Sequence, residues 1–146
     1  MSSKIAIAAI AAVLIGGVVL TVTKSNTSGG APGHSTPQSA AFAPSNVALP
    51  AFNLTEKRGE AAFNTNCAQC HGEKATGTQQ GPPFLHVVYK AGHHGDQSFF
   101  FAAQNGVRAH HWPYGDMPPQ PHVSAGDLKA IVTYIRALQQ ANGFGS

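Results

Sequence analysis

Cysteine is scarce in this chain: Cys67 and Cys70 are the only two among 146 residues. That count excludes a disulfide-stapled scaffold and a zinc site built on two cysteine pairs. A bridge between these two would close a loop too short to add much stability. Methionine is equally scarce, and since one of the two is the initiator, Met117 is the only internal thioether. Charged residues make up only 10% of the chain. Of nine Lys and Arg, Lys4 and Lys24 lie near the N-terminus, which leaves seven against six acidic residues from Leu54 onward. So balanced a domain exerts little long-range steering on a partner. Its basic residues are scattered and form no nucleic-acid motif, so nucleic acid is not an expected partner. Also missing is a run of alternating or β-branched residues before Cys67, as a redox C-x-x-C on a strand-helix unit requires.

The two cysteines stand in Cys67-Ala-Gln-Cys70-His71. This is C-x-x-C-H, the attachment signature of a c-type haem. Attachment consumes both thiols as thioethers, and the following histidine becomes the proximal ligand of the iron. The expected cofactor is therefore one haem c, covalent through Cys67 and Cys70, with His71 as first axial ligand.

From Ile5 to Val22 runs an uncharged stretch, IAIAAIAAVLIGGVVLTV, flanked by Lys4 and Lys24. As a helix it just crosses a bilayer core of roughly 30 Å. It is longer than the hydrophobic part of a cleaved signal peptide. The nearest small-x-small site, Ala41-Phe42-Ala43, is far downstream and precedes Pro44. Residues 1–23 are therefore expected to be a retained single-pass signal anchor; cleavage between Thr23 and Ala31, giving a soluble periplasmic protein, is the alternative. Lys4 favours an N-in orientation, which sends the rest of the chain out of the cytoplasm. The expected location is the bacterial inner membrane with the haem domain facing the periplasm. Residues 24–53, rich in Ser, Thr, Gly, Pro, Ala and Asn, are read as a disordered linker with a mean span of about 30 Å.

Residues 54–146 then form one small all-α domain, in which the haem supplies much of the core. A first helix is expected from Thr55, as N-cap, through Asn64, with Gly59 and Phe63 on one face. A short helix over Gln97 to Asn105 has Asp96 as its expected N-cap and Gly106 as its stop. It carries Phe99, Phe100 and Phe101, which cannot all face one way. The last helix is the clearest: Ser124 and Asp127 make a variant capping box, and Leu128, Ile131, Val132, Ile135 and Leu138 fall at helical spacing before Asn142-Gly143.

A single histidine leaves the sixth iron position open. Met117, in Gly115-Asp116-Met117-Pro118-Pro119, lies far enough along the chain to wrap over the opposite haem face, on a loop stiffened by proline. Taken together, C-x-x-C-H after a first helix, the Gly81-Pro82 turn, the Met117-Pro118 loop and the final amphipathic helix resemble the class I monohaem cytochromes c, small bacterial membrane-anchored or periplasmic members in particular. The resemblance covers Leu54 to Gly143. It implies a fold of three to four helices around one haem, here preceded by the transmembrane helix. It also implies that Gly59 and Phe63 cross the last helix near Tyr134, and that the carbonyl of Pro82 accepts the Nδ1 proton of His71. The implied activity is the carriage of single electrons between donor and acceptor proteins, with membrane oxidoreductases as the implied partners, and no enzymatic turnover. Two alternatives stay open: a fixed haem subunit of a larger respiratory or oxidase complex, and a haem sensor or enzyme with a displaceable sixth ligand.

The chain departs from that pattern in its histidines. His93-His94 and His110-His111 stand beside His86 and His122 in the same domain. Arg108 and Trp112 are candidate donors to the haem propionates. Four imidazoles suit copper or zinc, yet neighbouring histidines share a centre only where the backbone turns sharply. Propionate contacts, partner docking and plain surface roles compete with a metal site, and by resemblance a copper protein is a candidate partner. Mass spectrometry of the purified protein tests the first expectations at once: its mass should exceed the polypeptide by one haem, carried on the peptide containing Cys67 and Cys70, and its N-terminus should precede Ile5.

Overall fold

A computed structural model describes residues 46–145. The expected anchor (1–23) and most of the linker lie outside the described residues. Among the described residues no helix is long and apolar enough to cross a membrane. Four α-helices follow one another among these residues: α1 (Leu54–Asn66), α2 (Ala68–His71), α3 (Asp96–Asn105) and α4 (Ala125–Ala141). Single 3₁₀ turns cover Glu73–Ala75 and Val87–Tyr89. The domain is thus helical, and among the described residues the sole extended pairing is an isolated antiparallel bridge between Val107 and Met117.

Two helix starts differ from expectation. Asn53, not Thr55, caps α1: its side chain accepts from the Glu56 amide at 3.0 Å, while the Glu56 carboxylate accepts from the Asn53 amide at 2.8 Å. This reciprocal pair satisfies two donors that the first turn leaves open. Asp96 lies inside α3, whose N-cap is Gly95, because the Asp96 carboxylate is engaged by Arg136 at 2.8 Å instead of by its own helix. Ser124 caps α4 as the sequence suggests, with its hydroxyl accepting from the Asp127 amide at 3.1 Å.

The last residues of the expected linker are held on the domain. Asn142 grips Ala48 from both sides, its Oδ1 accepting the Ala48 amide at 2.8 Å and its Nδ2 donating to the Ala48 carbonyl at 2.9 Å. Phe52 packs its ring 5.3 Å from that of Tyr134. Two backbone bonds and a buried aromatic face outweigh the polar composition that reads as linker.

The core lies between α1 and α4. Phe63, Tyr134, Ile135 and Leu138 are fully buried in it, each worth about 1.5–3 kcal/mol relative to exposure. The two helices meet at Gly59, where a Cβ would stand 2.6 Å from the Ala130 carbonyl carbon and 2.8 Å from Tyr134 Cβ. Backbone cannot yield there as a flexible side chain could. Gly-to-Ala in an open helix stabilises by about 0.5–1 kcal/mol. Here Gly59→Ala is expected to do the reverse, lowering stability by about 1–3 kcal/mol through overpacking. Urea midpoints of the haem-loaded proteins check the sign.

Candidate functional site

The end of α1 runs directly into the pentapeptide. Cys67 closes α1 by donating its amide to Phe63 O at 2.8 Å, and its own carbonyl accepts from the amides of Cys70 at 3.2 Å and His71 at 2.9 Å. The five residues are therefore one helical turn. It leaves Cys70 exposed, Cys67 partly covered and His71 7% exposed at the inner end. Both cysteines are free thiols.

The chain after His71 folds back as a belt beneath it. Gly72 (φ 74°) and Gly77 (φ 81°) supply left-handed turns, and Lys74 and Ala75 adopt the same region at a cost of about 1–2 kcal/mol each. The belt is tied to the pentapeptide by Gly77 N–H donating to His71 O at 2.6 Å and by the Thr78 hydroxyl donating to Cys70 O at 2.6 Å. Gly81 allows close passage, since a Cβ there would meet Cys70 O at 2.8 Å. The result is that Pro82 O lies 2.9 Å from His71 Nδ1. A carbonyl only accepts, so Nδ1 carries the proton and Nε2 keeps its lone pair. Burial pushes the His71 imidazole below its ordinary value, with the Pro82 bond opposing. The ring is thus neutral, the form that binds a metal. Phe84 stacks on it at 4.3 Å between centroids.

The pentapeptide's other readings fare poorly on this geometry. Burial, and secondarily the neighbouring Cys70, push the Cys67 thiol up to about 11. Dithiol oxidoreductases need the opposite shift. Nor do Cys67, Cys70 and His71 gather into a metal-holding trio, the one such group among the described residues being elsewhere. Two unpaired thiols and a buried imidazole with a free Nε2 lone pair on one turn do suit a covalent c-type haem.

Met117 belongs to a second, separately braced loop. It exchanges both backbone bonds with Val107 at 2.9 Å, and Gln120 N–H donates to Ala103 O at 2.6 Å, so the loop is stitched to the end of α3. Gly106 (φ 74°) admits this, because a Cβ would meet Met117 O at 2.6 Å. Arg108 is exposed beside the bridge and lines a shallow cleft of about 370 Å³ with Val107, Asp116 and Met117. Trp112 is half-buried against His86, with ring centroids 4.8 Å apart.

A family model described as Cytochrome c matches residues 56–139, more than half of the chain. The chain belongs to the cytochrome c family. No curated protein and no solved structure matches it. The membership agrees with the class I resemblance read from the motifs, and it supports haem-based electron transfer with covalently bound haem c.

Three residues that hold this cytochrome's site together escape motif reasoning. Phe84 is ringed by His71, Phe63, Tyr89 and Phe99. Gln139, 1% exposed, donates to Phe84 O at 2.8 Å and Tyr89 O at 3.1 Å. Its place four residues after Ile135 puts it on the apolar stripe, a signal that it is buried and bonded. Arg136 donates to Tyr89 O at 2.7 Å, His94 O at 2.6 Å and Gln139 Oε1 at 2.7 Å, besides pairing with Asp96. Arg136→Ala strands several acceptors at once and is expected to cost about 2–3 kcal/mol. Arg136→Lys should recover little of it, for a point charge cannot fork to four oxygens. Denaturation midpoints, with amide exchange of residues 86–96, measure both.

Proposed function

We propose that this cytochrome is a single-electron carrier whose haem c, attached through Cys67 and Cys70, is held between His71 and Met117. The observation that carries the reading is the 2.9 Å bond between His71 Nδ1 and Pro82 O, which fixes the ring and leaves Nε2 as its one ligand atom. Haem bound in this way supplies a reversible one-electron couple. Met117 is the chain's only internal thioether, on a loop braced at both ends. With both axial positions taken, no position remains for a substrate, which favours carriage over catalysis or sensing. A soft thioether as sixth ligand raises the potential relative to a second histidine. Arg108 and Trp112 are proposed as donors toward the propionates.

Outside the haem domain, the apolar run from Ile5 to Val22 supports a single-pass inner-membrane anchor with the domain on the periplasmic side. On that tether the domain exchanges electrons with membrane oxidoreductases or other periplasmic redox proteins. Its near-neutral charge means that docking depends on close contact more than on long-range attraction.

Met117 is the position to test. The wild-type ferric protein should show the weak near-infrared band of thioether-to-iron charge transfer, and the ferrous protein should resist carbon monoxide. Met117→Ala should lose the band and bind carbon monoxide readily. Met117→His should stay closed to carbon monoxide while its midpoint potential falls. A wild-type protein that lacks the band and takes up carbon monoxide as the alanine variant does would overturn the closed-carrier reading.

A further inference from the structure

His93 and His94 lie at a tight turn in which both amides donate to Lys90 O, at 2.9 and 2.8 Å. His110 and His111 come from the loop between α3 and α4, yet the two pairs meet. His93 Nε2 and His111 Nε2 are 3.4 Å apart, and one ligand atom each from His93, His94 and His111 falls within 4.8 Å of the other two. We propose that His93, His94 and His111 bind a divalent first-row transition ion of the copper–zinc class, at a site separate from the haem iron.

The separation itself is informative. Two nitrogens bound to one tetrahedral ion at about 2.0–2.1 Å stand roughly 3.3–3.4 Å apart, the spacing of His93 and His111. His94 is half-buried, and small rotations of the exposed His93 and His111 rings complete the trio around it. Its Nδ1 donates to Val88 O at 2.6 Å, so Nε2 is its lone-pair nitrogen, and the bond orients the ring as outer-shell partners of metal-bound histidines do. The His94 backbone is held in turn by Arg136. His110 stands alongside, its ring 4.4 Å from His111 with Nδ1 held by Arg108 O at 2.8 Å; it or water is placed to fill a fourth position.

Charge points the same way. Among the described residues no carboxylate bonds to the rings: Asp96 pairs with Arg136, and Asp116 accepts the Ala109 amide at 2.8 Å. Protonated imidazoles so packed would repel each other. Imidazoles are borderline ligands, and the affinity order of such sites puts Cu²⁺ ahead of Zn²⁺. The inference does not rest on how the iron is ligated.

The test uses the haem-loaded full chain, freed of metal by a chelator and titrated with Zn²⁺ by calorimetry and with Cu²⁺ by electron paramagnetic resonance in the ferric state. One equivalent of each should bind. Imidazole nitrogen hyperfine structure should mark the copper signal, distinct from that of the low-spin haem. His93→Gln and His111→Gln should each weaken Zn²⁺ binding at least about tenfold, while His122→Gln leaves it unchanged. An unaltered haem spectrum in each variant confirms that the fold is kept. Absence of saturable one-to-one binding, or wild-type affinity in both His93→Gln and His111→Gln, would show the 3.4 Å contact to be a hydrogen bond between rings and overturn the proposal.

Discussion

The contact between Gly59 and the backbone of α4 sets the position of everything else in the haem domain. Helices separated by side chains on both sides pack about 8–10 Å apart, and closer approach needs a residue without one. Gly59 provides it, and Phe63 and Cys67 follow at successive steps of four. The row that crosses α4 at Gly59 therefore buries Phe63 one turn later and delivers Cys67, with the pentapeptide behind it, one turn after that. Displacing the crossing would turn the site away from the core that buries His71.

Phe84 is the second organising element, acting through rings instead of backbone. It stacks on His71 and meets Phe63, Tyr89 and Phe99 edge-on, at 4.9 to 6.3 Å between centroids. Such edge contacts each add about 0.5–1.5 kcal/mol beyond area burial. Its carbonyl is fixed by Gln139, and Arg136 fixes the carbonyls of Tyr89 and His94. One turn of α4 thus holds the segment from Phe84 to His94 at three points. Tyr89, 5.3 Å from the His94 ring, is where the aromatic core passes into the histidine cluster.

Much of this was legible in the sequence where the signal is local. The Ser124 cap and the stripe from Leu128 to Leu138 place α4 because capping chemistry and helical period act over a few residues. C-x-x-C-H announces its turn for the same reason. The start of α1 was misplaced because Asn53 and Thr55 are both good caps, and only the reach of Glu56 back to Asn53 decides between them. The end of the linker was misplaced because Asn142 and Ala48 are far apart in sequence and neither looks unusual alone. The histidine pairs were ambiguous on the same ground: adjacent histidines diverge along an extended chain, and nothing in the spacing announces the turn at Lys90 or the meeting of two loops.

Burial acts on the domain's titratable groups in a consistent direction. It lowers His71 and raises Cys67 to about 11, and it raises Tyr89 and Tyr134 to about 12 each, with a hydrogen bond from Trp112 opposing at Tyr89 and Glu60 adding a little at Tyr134. In every case the uncharged form wins. An interior that keeps its own acids and bases neutral penalises net charge, whatever carries it. A family whose work is to gain and lose one electron changes its charge by one at each exchange, so an interior of this kind favours the less charged state. At the histidine cluster the rings are largely exposed, and mutual repulsion supplements desolvation in keeping His111 neutral. The same uncharged imidazole is thus reached by burial at His71 and with the help of crowding at His111, and only the second arrangement leaves its ligands open to an ion from solvent.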